Sequence, residues 1–140
     1  MKIVLDTNII VSACLGSFYA NRLIYHCLDG DFMPLVSNTL LAEYEDVVNR
    51  ENIFENSKLN QQERNELLDD ILSVSQWVEI YYMWRPNLRD EGDNFLIELA
   101  IAGNAKYIVS RNLKDFNQAQ LNFNDNFQVV LPDYLLEKFT

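Results

Sequence analysis

Histidine is almost missing from this chain. His26 is the only one in 140 residues, so a mechanism that needs two, such as an HExxH zinc site, is excluded. Its setting, Leu23-Ile24-Tyr25-His26-Cys27-Leu28, reads as helix and predicts a structural, packed histidine. Cysteine is scarce too. Cys14 and Cys27 lie too far apart for a CxxC pair and lack nearby ligand types, which predicts buried reduced thiols rather than a zinc site or a disulfide. Basic residues are outnumbered, 11 Lys and Arg against 21 Asp and Glu, giving a net charge of -10 and a pI near 4.4. That balance excludes a basic nucleic-acid clamp, and self-repulsion opposes non-specific polyanion binding unless cations or a local basic strip offset it. It suits a basic partner or a divalent metal instead. No apolar run approaches the ~20 residues of a membrane span, and Met1-Lys2 leads into strand-like sequence without a leader pattern. A cytoplasmic protein with no membrane association is the expectation.

What is present is ordinary for a soluble globule: 49% hydrophobic residues and a mean hydropathy of -0.15. A chain of this length can bury roughly two-thirds of its unfolded surface as one domain, residues 1–140. Apolar patterning predicts strands near 2–5, 32–36, 77–82, 106–110 and 127–131, and helices near 9–15, 18–29, 38–50, 60–75, 93–103 and 132–139. Alternating strands and helices indicate an α/β sandwich. Asn60-Gln61-Gln62-Glu63 resembles a capping box, and Pro132 suits a first helical turn. Residues 52–59, 83–89 and 117–127 read as irregular connections, with no internal repeat or low-complexity segment.

Acidic residues interrupt the apolar pattern at four places. Ile3-Val4-Leu5 fits a strand buried on both faces, and Asp6 follows at its carboxyl end, where open parallel sheets bind ligands. Asp6 equally fits the cap of the next helix, so this segment alone leaves both readings open. In Leu40-Leu41-Ala42-Glu43-Tyr44-Glu45-Asp46-Val47-Val48 a helical wheel gathers Leu40, Leu41, Tyr44, Val47 and Val48 on one face, with Glu43 on its border. Glu43 can point along the sheet edge or simply be solvated. Asp90, Glu91 and Asp93 precede a helix that is apolar almost all round except for Glu98. Asp93 fits an N-cap, but three acids within four residues exceed what a cap requires. Finally, the strand Tyr107-Ile108-Val109 ends in a polar turn carrying Ser110, Asn112 and Asp115. If the first and fourth strands are neighbours, this turn faces Asp6.

Were Asp6, Glu43, Asp93 and Asp115 to converge within about 5 Å, each ionised pair would repel by roughly 3 kcal/mol at an effective dielectric near 20. Summed over the cluster, that is at least comparable with a small domain's stability of ~5 to 15 kcal/mol. A proton or a cation must then enter. Oxygen donors without His or Cys favour Mg²⁺ or Mn²⁺ over zinc, and such ions support attack by water at a phosphodiester without histidine.

These residues resemble the PIN-domain family, close to the VapC-like toxins of toxin-antitoxin systems. The resemblance runs over essentially the whole chain. It rests on Ile3-Val4-Leu5-Asp6-Thr7-Asn8-Ile9-Ile10-Val11-Ser12-Ala13, Val36-Ser37 with Leu40-Leu41-Ala42-Glu43-Tyr44, Arg89-Asp90-Glu91-Gly92-Asp93-Asn94-Phe95-Leu96, Tyr107-Ile108-Val109-Ser110-Arg111-Asn112, and a closing Pro132-Asp133-Tyr134-Leu135-Leu136 helix. It implies a three-layer α/β/α sandwich with a central parallel sheet of about five strands. It also implies a metal-dependent endoribonuclease that hydrolyses RNA to a 5′-phosphate and a 3′-hydroxyl, an antitoxin protein as partner, and a homodimer. On the family pattern Asp6, Glu43 and Asp93 bind Mg²⁺ or Mn²⁺. Asp6 and Asp93 hold the first ion, and Glu43 binds it directly or orients its water. Many relatives have Asp where this chain has Asn112; others have Asn there and an acid three residues on, as with Asp115 here. Asn112 still offers an amide oxygen but no charge, which weakens a second metal site. Asn8 and Ser110 would position water or phosphate. Arg111 and Lys114 would contact phosphate beside the site, with Arg85 and Arg89 on the approach loop.

Three other readings compete. A haloacid-dehalogenase-like phosphatase also places Asp after a first strand, but that chemistry uses DxD and Asn8 stands at the second acid. A non-catalytic interaction module would keep the fold and use its acids as caps and surface charge. A housekeeping RNA-processing nuclease would keep the chemistry without an antitoxin.

Overall fold

The computed structural model describes residues 1–80, 94–116 and 127–139. Five parallel strands, β1 (Lys2–Leu5), β2 (Met33–Val36), β3 (Gln76–Trp77), β4 (Tyr107–Val109) and β5 (Gln128–Val130), lie in the order β3-β2-β1-β4-β5. The helices are α1 (Thr7–Cys14), α2 (Phe18–Leu28), α3 (Asn38–Val48), α4 (Gln61–Ser73), α5 (Asn94–Gly103) and α6 (Pro132–Phe139), with short 3-10 turns at Glu51–Phe54 and Leu113–Asp115. Together they form the α/β/α sandwich expected from the alternation of elements.

Ile3, Val4 and Leu5 are fully buried, as are Ile108 and Val109 beside them. This is the continuous apolar run that a strand covered on both faces requires. Leu5 pairs with Val109, and the ladder continues one step further: the Asp6 N–H donates to the Val109 carbonyl at 2.9 Å and the Ser110 N–H to Val130 at 3.0 Å. The strand order reverses direction between β1 and β4. In open parallel sheets the crevice that binds ligands lies at such a switch point, outside the carboxyl ends of the strands.

Several sequence-predicted boundaries shift. The first helix begins at Thr7 rather than residue 9, because its polar opening Thr7-Asn8 carries no apolar periodicity although Ile9 already donates to the Asp6 carbonyl at 3.0 Å. The third strand is only Gln76–Trp77 among the described residues, extended by a Val78 N–H bond to Val36 at 2.9 Å; positions 81 and 82 of the expected strand lie outside them. The irregular stretch after α3 contains a 3-10 turn. The Asn60–Glu63 capping box forms with both bonds in place, and Pro132 opens α6. The connection at 83–89 and most of that at 117–127 lie outside the described residues.

The helix ends are tied down locally. After α5, Asn104 takes φ 56° and the Ala105 N–H bonds to the Ala100 carbonyl at 2.9 Å, a left-handed cap that turns the chain into β4. Arg64 on α4 is 2% exposed and gathers the end of α3. Its guanidinium donates to the carbonyls of Val48 (2.8 Å) and Leu59 (3.0 Å) and to the Glu51 carboxylate (2.8 Å), and it lies over the Phe54 ring. Among the described residues no helix is long and apolar enough to cross a membrane.

Candidate active site

Asp6 occupies the N-cap position of α1, yet its side chain makes no capping bond. It is 5% exposed and turned instead toward the end of β4. Ser110, fully buried there, donates to Asp6 Oδ2 at 2.8 Å, and Asn8 Nδ2 reaches the same oxygen at 3.3 Å. Thr7 Oγ1 donates to Oδ1 at 3.3 Å. A buried carboxylate is tolerable only when its oxygens are satisfied, and here short polar side chains from two segments do so.

Asn8 is the hub of this arrangement. Its amide nitrogen also donates to Ser110 Oγ at 3.1 Å, while its Oδ1 accepts the Arg111 backbone N–H at 3.1 Å. The turn after β4 is thus bonded to the first turn of α1. Ser12, one helical turn beyond Asn8 and on the same face, accepts from Arg111 Nη1 at 2.9 Å. The exposed Arg111 guanidinium is therefore tethered beside the crevice, with donors to spare. Asn112 Oδ1 accepts the Lys114 N–H at 3.3 Å, capping the 3-10 turn, and Lys114 itself is exposed.

Glu43 is exposed on α3. Its neighbour Tyr44 is buried and donates its hydroxyl to the Leu5 carbonyl at 2.5 Å, so α3 lies against the tip of β1. Burial first, then the charges of Asp6 and Cys27, hold the Tyr44 phenol well above its usual pKa. It remains a proton donor at any ordinary pH. Asp93, Asp90, Glu91, Arg85 and Arg89 lie outside the described residues, as does the side chain of Asp115, whose backbone ends the Leu113–Asp115 turn. Among the described residues no group of three or more His, Cys, Asp or Glu side chains comes together as a metal centre.

The chemistry of the donors gathered at the crevice is nonetheless uniform. Asp6, Asn8, Ser110 and Asn112 offer oxygen. The softer candidates are elsewhere: His26 Nδ1 pairs with Asp31 Oδ2 at 2.7 Å near the start of β2, and burial pushes the Cys27 thiol up to about 12 and raises that of Cys14. Oxygen donors of this kind fit Mg²⁺ or Mn²⁺ and not zinc. Tyr44 and Ser12 escaped the sequence reading as site residues. The spacing of Ser12 from Asn8 carried the signal for one; Tyr44 had none beyond its place on the apolar face.

No curated protein matches the chain. Among solved structures, a chain of VapBC2 from Rickettsia felis, crystallised bound to a DNA fragment from its promoter, shares the fold with a TM-score of 0.54 and 22% identity, over 92% of this chain and 97% of that one. A sequence profile of the PIN domain matches residues 2–114, and the chain belongs to the PIN-domain family.

Proposed function

We propose that this chain, residues 1–140 acting as one domain, is a Mg²⁺- or Mn²⁺-dependent endoribonuclease and the toxin of a type II toxin-antitoxin pair. The observation that carries the reading is the buried Asp6 carboxylate, turned away from its helix cap and held by Asn8 and Ser110 at the switch point of a PIN-domain sheet. Asp6, Glu43, Asp93 and Asp115 are the residues that would hold the cation, with Asn112 offering a neutral oxygen. When bound, the cation supplies Lewis acidity that activates water and offsets charge on the phosphoryl oxygens. The protein's own part is positioning. Asn8 and Ser110 fix the Asp6 carboxylate, while Arg111, tethered by Ser12, and Lys114 bind the RNA phosphate. With few basic residues, RNA affinity is modest and salt-sensitive.

The charge of -10 supports a basic partner, and the likeness of fold to VapBC2 supports an antitoxin as that partner. The working form is a homodimer in the cytoplasm. The test is end-labelled RNA with Mn²⁺ or Mg²⁺: wild type cuts and leaves a 5′-phosphate, whereas Glu43→Gln and Asp93→Asn do not. Wild type that cuts no RNA with either ion, or variants that cut equally well, overturn the nuclease reading in favour of an interaction module.

A further inference from the structure

Helix α3 is capped at its start and held at its finish. Ser37 Oγ accepts the Leu40 N–H at 3.2 Å at its start, and Arg64 holds the Val48 carbonyl at its finish. In its middle the Tyr44 hydroxyl reaches the sheet and donates to the Leu5 carbonyl. That carbonyl belongs to the peptide unit that leads into Asp6, and Tyr44 directly follows Glu43. One hydrogen bond therefore joins the backbone carrying the first acid to the helix carrying the second. Packing of the ring is non-directional, whereas a hydrogen bond fixes both distance and angle. A phenol suits the task because it is long, stiff and has only two side-chain torsions to freeze.

We infer that Tyr44 is a positioning residue, whose hydroxyl clamps α3 to the Leu5–Asp6 peptide and so fixes the separation of the Asp6 and Glu43 carboxylates. This rests on the reading of those two acids as holding one cation. The ring fills the core; the hydroxyl sets the register of the two carboxylates. A partner that orients ligands in this way typically contributes 10- to 100-fold to metal affinity.

The experiment compares Tyr44→Phe with Tyr107→Phe. Tyr107 is equally buried, and the Lys138 ammonium lies over its ring at the other end of the sheet. Both variants keep the ring, and circular dichroism confirms the fold. Mn²⁺ titration calorimetry of the metal-free proteins should show about 10-fold weaker binding for Tyr44→Phe and wild-type binding for Tyr107→Phe. On RNA, Tyr44→Phe should lower kcat with KM unchanged. Equal Mn²⁺ affinity of Tyr44→Phe and wild type, or equal weakening by both variants, overturns the inference. Wild type that takes up no Mn²⁺ overturns the cation reading instead. Amide exchange at residues 6–8 of the metal-free chain then decides the clamp: faster in Tyr44→Phe alone supports it, and no difference sinks it.

Discussion

At the carboxyl ends of β1 and β4 short polar side chains meet out of water, whereas at the amino ends of the strands the space is filled by rings. Asp6 and Asn8 each bond to Ser110 across 102 residues or more of sequence, and both bonds depend on the β1–β4 register. At the far end Phe32 packs edge-on against Phe139 with centroids 6.0 Å apart, Tyr107 meets the same ring at 6.1 Å, and His26 borders Phe32. Rings gain mainly from burial and tolerate a range of geometries. Buried carboxylates and hydroxyls do not, since an unmet group is costly. The same sheet thus concentrates stabilising burial at one end and fixed polar geometry at the other.

The comparison is broken most directly by Asp6→Asn. Removing the charge while keeping a polar side chain should cut RNA cleavage by about 10³-fold, the equivalent of ~4 kcal/mol in the barrier, with thermal unfolding shifted by only a few degrees. Steady-state kinetics beside a thermal melt measure both. Phe32→Ala, 4% exposed at the other end, should do the reverse. It should lose roughly 3 kcal/mol in denaturant unfolding while activity per folded molecule stays at the wild-type level. Comparable activity losses from the two substitutions would mean that the ends are not separable.

A smaller effect sharpens the ring end through pH. The Cys27 thiol titrates at 9.0 without burial and at about 12 in the fold, so the folded chain holds that proton more tightly. The linked stability is complete below pH 9 and is lost as pH rises toward the folded value. Between pH 9 and 10 wild type should therefore lose about 1 kcal/mol that Cys27→Ala does not, read from urea melts at each pH. Parallel curves for the two proteins would remove Cys27 from the account.

Strand ends were legible in the sequence because a strand buried on both faces is an unbroken apolar run, so its first polar residue marks its tip. Asp6 after Leu5 and Ser110 after Val109 were found in this way. Their adjacency depended on β1 and β4 being neighbours, which the strand order supplies and no local pattern encodes. The first turn of α1 was invisible because Thr7 and Asn8 are polar. Tyr44 was visible only as apolar surface, since its ring dominates any periodicity and hides the hydroxyl. Arg64 is the instructive miss. It lies four and seven residues before Leu68 and Ile71, on the buried face, so the wheel carried the signal, but a guanidinium is counted as surface until carbonyls and a carboxylate are found around it.

Ser12 carries the smallest expected effect and tests how finely the polar end is set. Its hydroxyl accepts from Arg111 Nη1 at 2.9 Å, and Arg111's backbone N–H is already held by Asn8. Ser12→Ala therefore leaves the arginine present and its main chain fixed but releases the guanidinium. Losing one hydrogen bond of this kind costs about 1 kcal/mol at most if the tether pre-orients the phosphate contact, so KM for RNA should rise by roughly fivefold with kcat unchanged. Arg111→Ala should raise KM further and reduce the salt dependence of binding by about one phosphate contact. In Arg111→Ala the additional Ser12→Ala change should have no effect, because the serine acts only through the guanidinium. Additive losses in the double variant would show that Ser12 touches the RNA, or shapes α1, independently of Arg111.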